Sequence, residues 1–217
     1  MTAPIDTLRA GAADMGVALS DSQAERLLAY GTLMLKWNKV YNLTALRDPA
    51  SVMTHHLLDS LAAAAPLQRE WAGKGKLLDV GSGGGLPGVV IAITRPDLEV
   101  SCLDAVAKKA AFVQQVAAEL ELPNLRGLHA RVESLVGSYE IISSRAFASL
   151  PDFFNGSMNL LAPGGVWLAM KGKVPTDELA VLPKGVSVFH VEQLAVPGLD
   201  AERCIVWARK APAEIGA

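Results

Sequence analysis

The stretch LLDVGSGGGLPGVV (Leu77–Val90) joins a short apolar run ending in an acid to a cluster of glycines and a second apolar run. This order reads as a strand, a tight loop and the start of a helix. At such a junction, free backbone N–H groups and the helix dipole favour an anionic or polar ligand. Glycine lets that ligand approach the main chain. The loop is therefore a cofactor cradle.

Outward from the loop the same rhythm repeats. Short apolar runs at Lys76–Val80, Glu99–Asp104, Leu125–His129, Glu140–Ser144 and Val166–Met170 alternate with helical segments at Leu86–Ile93, Ala107–Leu120 and Leu150–Leu161. Strands alternating with helices predict a parallel sheet covered on both faces. The last two runs, Gly185–Leu194 and Arg203–Lys210, flank Pro197-Gly198 with no room for a crossover helix, so they should pair antiparallel. Upstream, Ser20 and Gln23 form a capping-box pattern before Leu27, Leu28, Leu33, Met34 and Trp37 at helical spacing. Asp48-Pro49 starts a second helix that runs to Pro66. The predicted fold is α/β, Rossmann-like, with a seven-stranded, mostly parallel sheet. It forms one domain over 1–217, divided into a helical N-terminal extension (1–70) and a core (71–217).

Composition narrows the setting. At 217 residues and 51% hydrophobic the chain can bury a full core. Met1–Gly11 lacks the basic start and apolar run of an export signal, and no stretch approaches about 18 uncharged apolar residues. A soluble, cytoplasmic protein without a membrane partner is expected. Cys102 and Cys204 lie in apolar runs without metal-like spacing to the histidines, so reduced core thiols and no metal site are expected. A net charge of −2 argues against a globally basic nucleic-acid binder while leaving room for a local basic face.

Two registers compete in the loop. Gly83–Gly88 spells G-x-G-x-x-G, the dinucleotide pattern, a match that alone selects no cofactor. The other register is Asp79-x-Gly81-x-Gly83-x-Gly85. A carboxylate at Asp79 would repel a pyrophosphate and attract the ammonium of S-adenosylmethionine. Asp104 ends the second strand about 20 residues past Gly85, placed for ribose hydroxyls with either cofactor. The acid and the antiparallel tail favour S-adenosylmethionine over nicotinamide or flavin. A nicotinamide oxidoreductase should also show a substrate-reducing Tyr and Lys pair at helical spacing, which Tyr30, Tyr41 and Tyr139 do not offer. An assembly factor that had lost catalysis would lack the cradle between Asp79 and Gly85, which is complete here.

Six motifs in order, WNKVYNLTALRD (Trp37–Asp48), HLLDSL (His56–Leu61), LLDVGSGGGLPG (Leu77–Gly88), RVES (Arg131–Ser134), SRAFASL (Ser144–Leu150) and MKG (Met170–Gly172), resemble the RsmG, or GidB, family. That resemblance spans nearly the whole chain. It implies a class I methyltransferase fold, S-adenosyl-L-methionine as donor, and N7 of a guanine in bacterial 16S ribosomal RNA, near the decoding centre, as acceptor. Carried residue by residue, it implies cofactor contacts at Gly81 and Leu86, at Asp104, Ala105 and Val106, at Val132 and Glu133, and at Arg145. All lie past carboxyl ends of strands, where open α/β sheets bind ligands.

Guanine N7 already carries an in-plane lone pair, so no proton must leave and no catalytic side chain is assigned. Orientation should carry the rate. Among basic residues near strand ends, Arg131, Lys171 and Arg203 are the candidates for the RNA side, with Lys108, Lys109 and Lys173 nearby. The acceptor that the resemblance implies is 16S rRNA or the small ribosomal subunit, expected to be read as a folded shape. His55, His56 and Asp59 form a cluster in which a histidine anchored by the neighbouring carboxylate would position the helix. Asn42 should hold the junction between the two helices. One domain with no spare apolar helix face points to a monomer.

Overall fold

The computed structural model describes residues 3–212; the ends of the predicted domain, 1–2 and 213–217, lie outside the described residues. The extension holds α1 (Pro4–Asp14), α2 (Asp21–Tyr41), α3 (Pro49–Val52), a π-helical segment (Met53–Leu58), α4 (Asp59–Leu61) and α5 (Ala64–Glu70). The core runs β1 (Gly75–Val80), α6 (Gly88–Thr94), β2 (Leu98–Asp104), α7 (Ala107–Glu119), β3 (Leu125–His129), β4 (Tyr139–Arg145), α8 (Leu150–Ser157), β5 (Leu161–Lys171), α9 (Thr176–Leu179), β6 (Val186–Leu194) and β7 (Arg203–Lys210). The strands form one seven-stranded sheet in the order β3-β2-β1-β4-β5-β7-β6. The first five strands pair in parallel, and β7 pairs antiparallel with both β5 and β6.

Every predicted core strand is present, with ends moved by a few residues. The largest difference is β5, which begins at Leu161 and takes in the Ala162–Gly165 segment. The order of the tail is also new: the final strand lies inside and β6 is the edge. Because successive strand residues face opposite sides, β5 feeds both cores. Val166, Leu168 and Met170 join the cluster under α2, α6 and α7, whereas Trp167 and Ala169 join the one under α8. A strand buried on both faces has no polar alternation, which is why these runs are continuously apolar.

The extension packs into the first of these cores through Leu8, Leu27, Met34 and Leu57, so extension and sheet share one apolar interior. The capping box at Ser20 forms as predicted. The Gln23 amide nitrogen also donates to the carbonyls of Ile93 and Thr94 at the end of α6. The helix predicted from Asp48 to Pro66 forms without a gap from Pro49 to Leu61, and a turn at 62–63 parts it from α5. Asp48 caps α3 by accepting from the Ser51 N–H, the chain widens into a π-turn over Met53–Leu58, and α4 follows directly before α5 starts at Ala64. Pro66 sits in the first turn of α5, where its missing N–H costs no hydrogen bond. The helix before Ser20 has no counterpart in the sequence reading. No helix of the described residues is long and apolar enough to cross a membrane.

Candidate functional site

The glycine loop leaves β1 at its carboxyl end and re-enters as α6. Ser82 organises it: its N–H donates to the Leu103 carbonyl, and its own carbonyl accepts from the N–H groups of Gly85 and Leu86. Behind the loop, the fully buried Tyr30 of α2 donates its hydroxyl to the Gly84 carbonyl at 2.6 Å. Gly81 adopts φ +67°, and a Cβ there would stand 2.8 Å from the Phe147 ring. The bare main chain is thus required by conformation and by space.

Two cavities meet at Gly81 and Phe147, which line both. The smaller, about 230 Å³, is walled by Val80, Leu103, Asp104, Ala105, Arg131, Val132 and Glu133. The larger, about 700 Å³, is floored by Gly81–Gly84 and Leu86 and walled by the ends of β4, β5 and β7 and by the extension. Of the predicted residues, Asp104, Ala105, Val132, Glu133 and Arg131 gather around the first. Gly83, Leu86, Arg145, Lys171 and Arg203 gather around the second. Asp79, Gly85 and Val106 line neither.

Asp79 corrects the sequence reading. The expected ammonium partner is fully buried beneath the loop, where one carboxylate oxygen accepts from the Gly88 N–H at 2.8 Å and the other from the Ser143 hydroxyl at 2.9 Å. The physical reason is the start of α6. Pro87 at its N-cap supplies no side-chain acceptor, and the orphan N–H of Gly88 takes the acid instead. Burial pushes the Asp79 pKa up to about 7, against the pull of those two hydrogen bonds. Between about pH 4 and pH 7 the folded protein therefore binds more protons at this site than the unfolded chain. Asp79 then removes stability as pH rises, at up to about 1.4 kcal/mol per pH unit. Asp79→Asn should gain on the wild type between pH 5 and pH 7 in urea unfolding midpoints; a constant difference would contradict this.

Asp104 is tied to the loop as well as facing the smaller cavity. One oxygen accepts from the Gly83 N–H at 3.0 Å and the other from the Val106 N–H at 2.9 Å. Each oxygen keeps a second lone pair. Val106 thus contributes its main chain to the carboxylate's orientation. Glu133 and Arg131 are exposed at the cavity's outer edge.

In the larger cavity the charged residues are organised by Asp59. Its side chain, 3% exposed, takes Arg145 on one oxygen at 2.8 Å and Arg203 on the other at 2.6 Å. Arg145 also donates to the His55 carbonyl. The expected His56 anchor is corrected accordingly, since the carboxylate serves the arginines. His56 instead donates from Nδ1 to the His55 carbonyl and accepts at Nε2 from the Thr44 hydroxyl, which in turn accepts from the Leu46 N–H. Burial and then Arg145 push the His56 pKa down to about 4, leaving a neutral imidazole at neutral pH. Lys171 reaches the cavity wall with its ammonium paired to Glu178 at 2.9 Å. Asn42 ends α2 in a left-handed conformation and accepts from Arg47. Most of the junction is held by the buried Asn38, which bonds the Thr44 N–H and the Leu46 carbonyl.

Phe147, Tyr30 and Met34 shape the loop and the floor, yet Phe147 stood out only as part of SRAFASL, and Tyr30 and Met34 pointed in the sequence to no place at the site. They are ordinary apolar or aromatic residues, and only the three-dimensional approach to the glycines singles them out. Asp59 lay in a recognised motif, but its partners are 86 and 144 residues away.

Among solved structures, the fold is similar to TrmN from Thermus thermophilus, with TM-score 0.59, 19% identity, and coverage of 73% of this chain and 53% of that one. It is also similar to a SAM-dependent methyltransferase from Aquifex aeolicus, with TM-score 0.55, 17% identity, and coverage of 77% and 96%. At those identities the likeness establishes the fold, which is the Rossmann-like class I methyltransferase fold. The sequence is more specific. Residues 23–206 match the family GidB, rRNA small subunit methyltransferase G. Ribosomal RNA small subunit methyltransferase G of Paracidovorax citrulli is 60% identical over 223 residues, covering 97% of this chain and 92% of the relative. The protein of the same name from an Acidovorax species is 61% identical over 211 residues, covering 93% of each. The chain belongs to the rRNA small subunit methyltransferase G family.

Proposed function

We propose that this protein transfers the methyl group of S-adenosylmethionine to N7 of a guanine in 16S rRNA of the small ribosomal subunit, near the decoding centre. It acts in the cytoplasm as a single-domain monomer. The observation that carries this reading is the junction of two cavities over an unsubstituted main chain at Gly81. The smaller cavity fits a nucleoside: Leu103 and Val132 offer apolar walls to the base, and Asp104 offers acceptors to ribose hydroxyls. Ala105, Val132 and Glu133 border the base, with Arg131 at the rim. From there Gly81 and Leu86 lead the donor's amino acid end into the larger cavity, where Arg145 stands.

The donor supplies a methyl carbon on a sulfonium, which leaves as a neutral thioether when the N7 lone pair takes the methyl. No proton is released at N7, so the residues have only to hold the acceptor in line and keep water out. His56, neutral at neutral pH, serves as part of the Thr44–His56 brace rather than as a base.

The RNA-facing rim includes more than the strand-end cations. Between Arg26 and Arg47 the chain has no Asp or Glu, and Lys36, Lys39 and Arg47 are exposed there beside Tyr41. None of the three cations enters an ion pair among the described residues. This end of α2 continues into Leu43 and Thr44 on the wall of the larger cavity. Together with Arg131 and Lys108, it supplies positive charge for phosphates flanking the target.

Small subunits lacking the modification, incubated with methyl-labelled donor and mapped by base, should acquire one N7-methylguanine in 16S rRNA. Labelling at another atom or in another RNA overturns the assignment. In the same assay, Lys39→Glu with Arg47→Glu should raise KM for subunits about tenfold or more and leave S-adenosylhomocysteine affinity unchanged. An unchanged KM removes this end of α2 from the rim.

A further inference from the structure

The ionisable side chains around the larger cavity are unevenly matched. Arg145, Lys171 and Arg203 line it as cations, and Asp59 is the one carboxylate among its lining residues. Lys171 has its own partner in Glu178. Asp79 lies below the loop, fully buried and turned to Gly88 and Ser143. Asp59 therefore stands alone against two guanidiniums. Its side chain is 3% exposed and theirs are 18% and 23% exposed, so solvent screens the trio poorly. The carboxylate comes from the extension, whereas the arginines come from the ends of β4 and β7, on either side of β5.

The reaction changes charge in this chamber. On the donor reading given above, which this inference rests on, a sulfonium enters and a neutral thioether of nearly the same shape leaves. An excess of cations in the wall would favour the spent donor over the fresh one. We propose that Asp59 is the counter-charge of the transfer cavity, a positioning and specificity residue that holds Arg145 and Arg203 side by side and biases the site toward the sulfonium. Its effect on ligands runs through the field of the trio, since its oxygens are occupied by the arginines. The same bias favours release of the thioether and tolerates the positive charge that N7 acquires on methylation.

A purely structural ion pair makes a different prediction. Loss of a clamp would weaken the two ligands equally, because they share every group except the methyl and its charge. The test is calorimetric titration of the full-length protein with S-adenosylmethionine and with S-adenosylhomocysteine. Asp59→Asn should lower the preference for S-adenosylmethionine by on the order of five- to tenfold. Asp59→Glu should restore most of it. Arg203→Gln should move the ratio in the opposite direction, and the double variant Asp59→Asn with Arg203→Gln should return it toward the wild-type value. Equal losses for both ligands in Asp59→Asn would overturn the proposal. If Asp59→Asn fails to fold, an unchanged ratio in Arg203→Gln overturns it instead. A wild-type protein that binds neither ligand would sink the donor reading itself, an outcome visible before any variant is compared.

Discussion

Gly81→Val is expected to abolish donor binding, weakening S-adenosylhomocysteine affinity by more than about 100-fold with the fold retained. Two costs coincide at this position. A β-branched residue at φ +67° is strained by roughly 1–3 kcal/mol. Its Cβ would also stand 2.8 Å and 3.3 Å from two carbons of the Phe147 ring. The ring lines both cavities, so displacing it disturbs their junction. The valine methyls also occupy the approach to the main chain. Phe147→Ala in the same chain should recover little, because the backbone strain persists. Titration calorimetry gives the affinity, and thermal unfolding shows that the fold survives. Wild-type affinity in Gly81→Val would mean that the loop is no cofactor cradle.

Gly88→Ala should act on stability, with a loss of about 3 kcal/mol. Gly88 opens α6 with its Cα against β1 and β2. A Cβ there would overlap Cys102 Sγ and lie 2.9 Å from an Asp79 carboxylate oxygen. Both neighbours are buried, so the helix would have to lift, and lifting it stretches the Gly88–Asp79 hydrogen bond that anchors its first turn. The urea midpoint should fall with an unchanged denaturant slope. Adding Cys102→Ala should return a substantial part of the loss, since the sulfur is the nearest obstacle. A Gly88→Ala protein as stable as the wild type would show that the close packing of α6 on the sheet is not required.

The two glycines also mark what was legible beforehand. Period and punctuation located every strand of the sheet, because doubly buried strands have to be apolar and the turns between them have to be glycine, proline or polar. The tail's antiparallel pairing followed from loop length alone. The order of β7 and β6 did not, since pairing partners depend on which edge the chain reaches and not on local composition. In the site, the glycine loop and Asp104 were legible as to place, at the carboxyl ends of β1 and β2, because a strand that stops at a glycine or an acid leaves a pattern in the sequence. Asp79 was found for the wrong reason: as an acid at the mouth of a loop it looked like a ligand group, but the unsatisfied N–H at the start of α6 had the prior claim. A family motif brought Arg145 to notice and a strand end brought Arg203, yet their pairing with Asp59 stayed hidden. A carboxylate shared between three distant segments leaves no spacing to read. The π-turn inside the helix that starts at Asp48 was missed for a related reason, in that it serves tertiary contacts and its sequence has unremarkable helical propensity.

The hydroxyl of Tyr30 beneath Gly84 has a consequence for dissecting the molecule. Glycines stiffen only when something stands behind them, and here the support comes from a helix that precedes the sheet, with Gln23 of the same helix tying down the far end of α6. A truncated protein starting at β1 would retain every glycine of the loop and lose the beam beneath it. A fragment meant to grip the nucleoside should therefore keep α2 with its cap at Ser20.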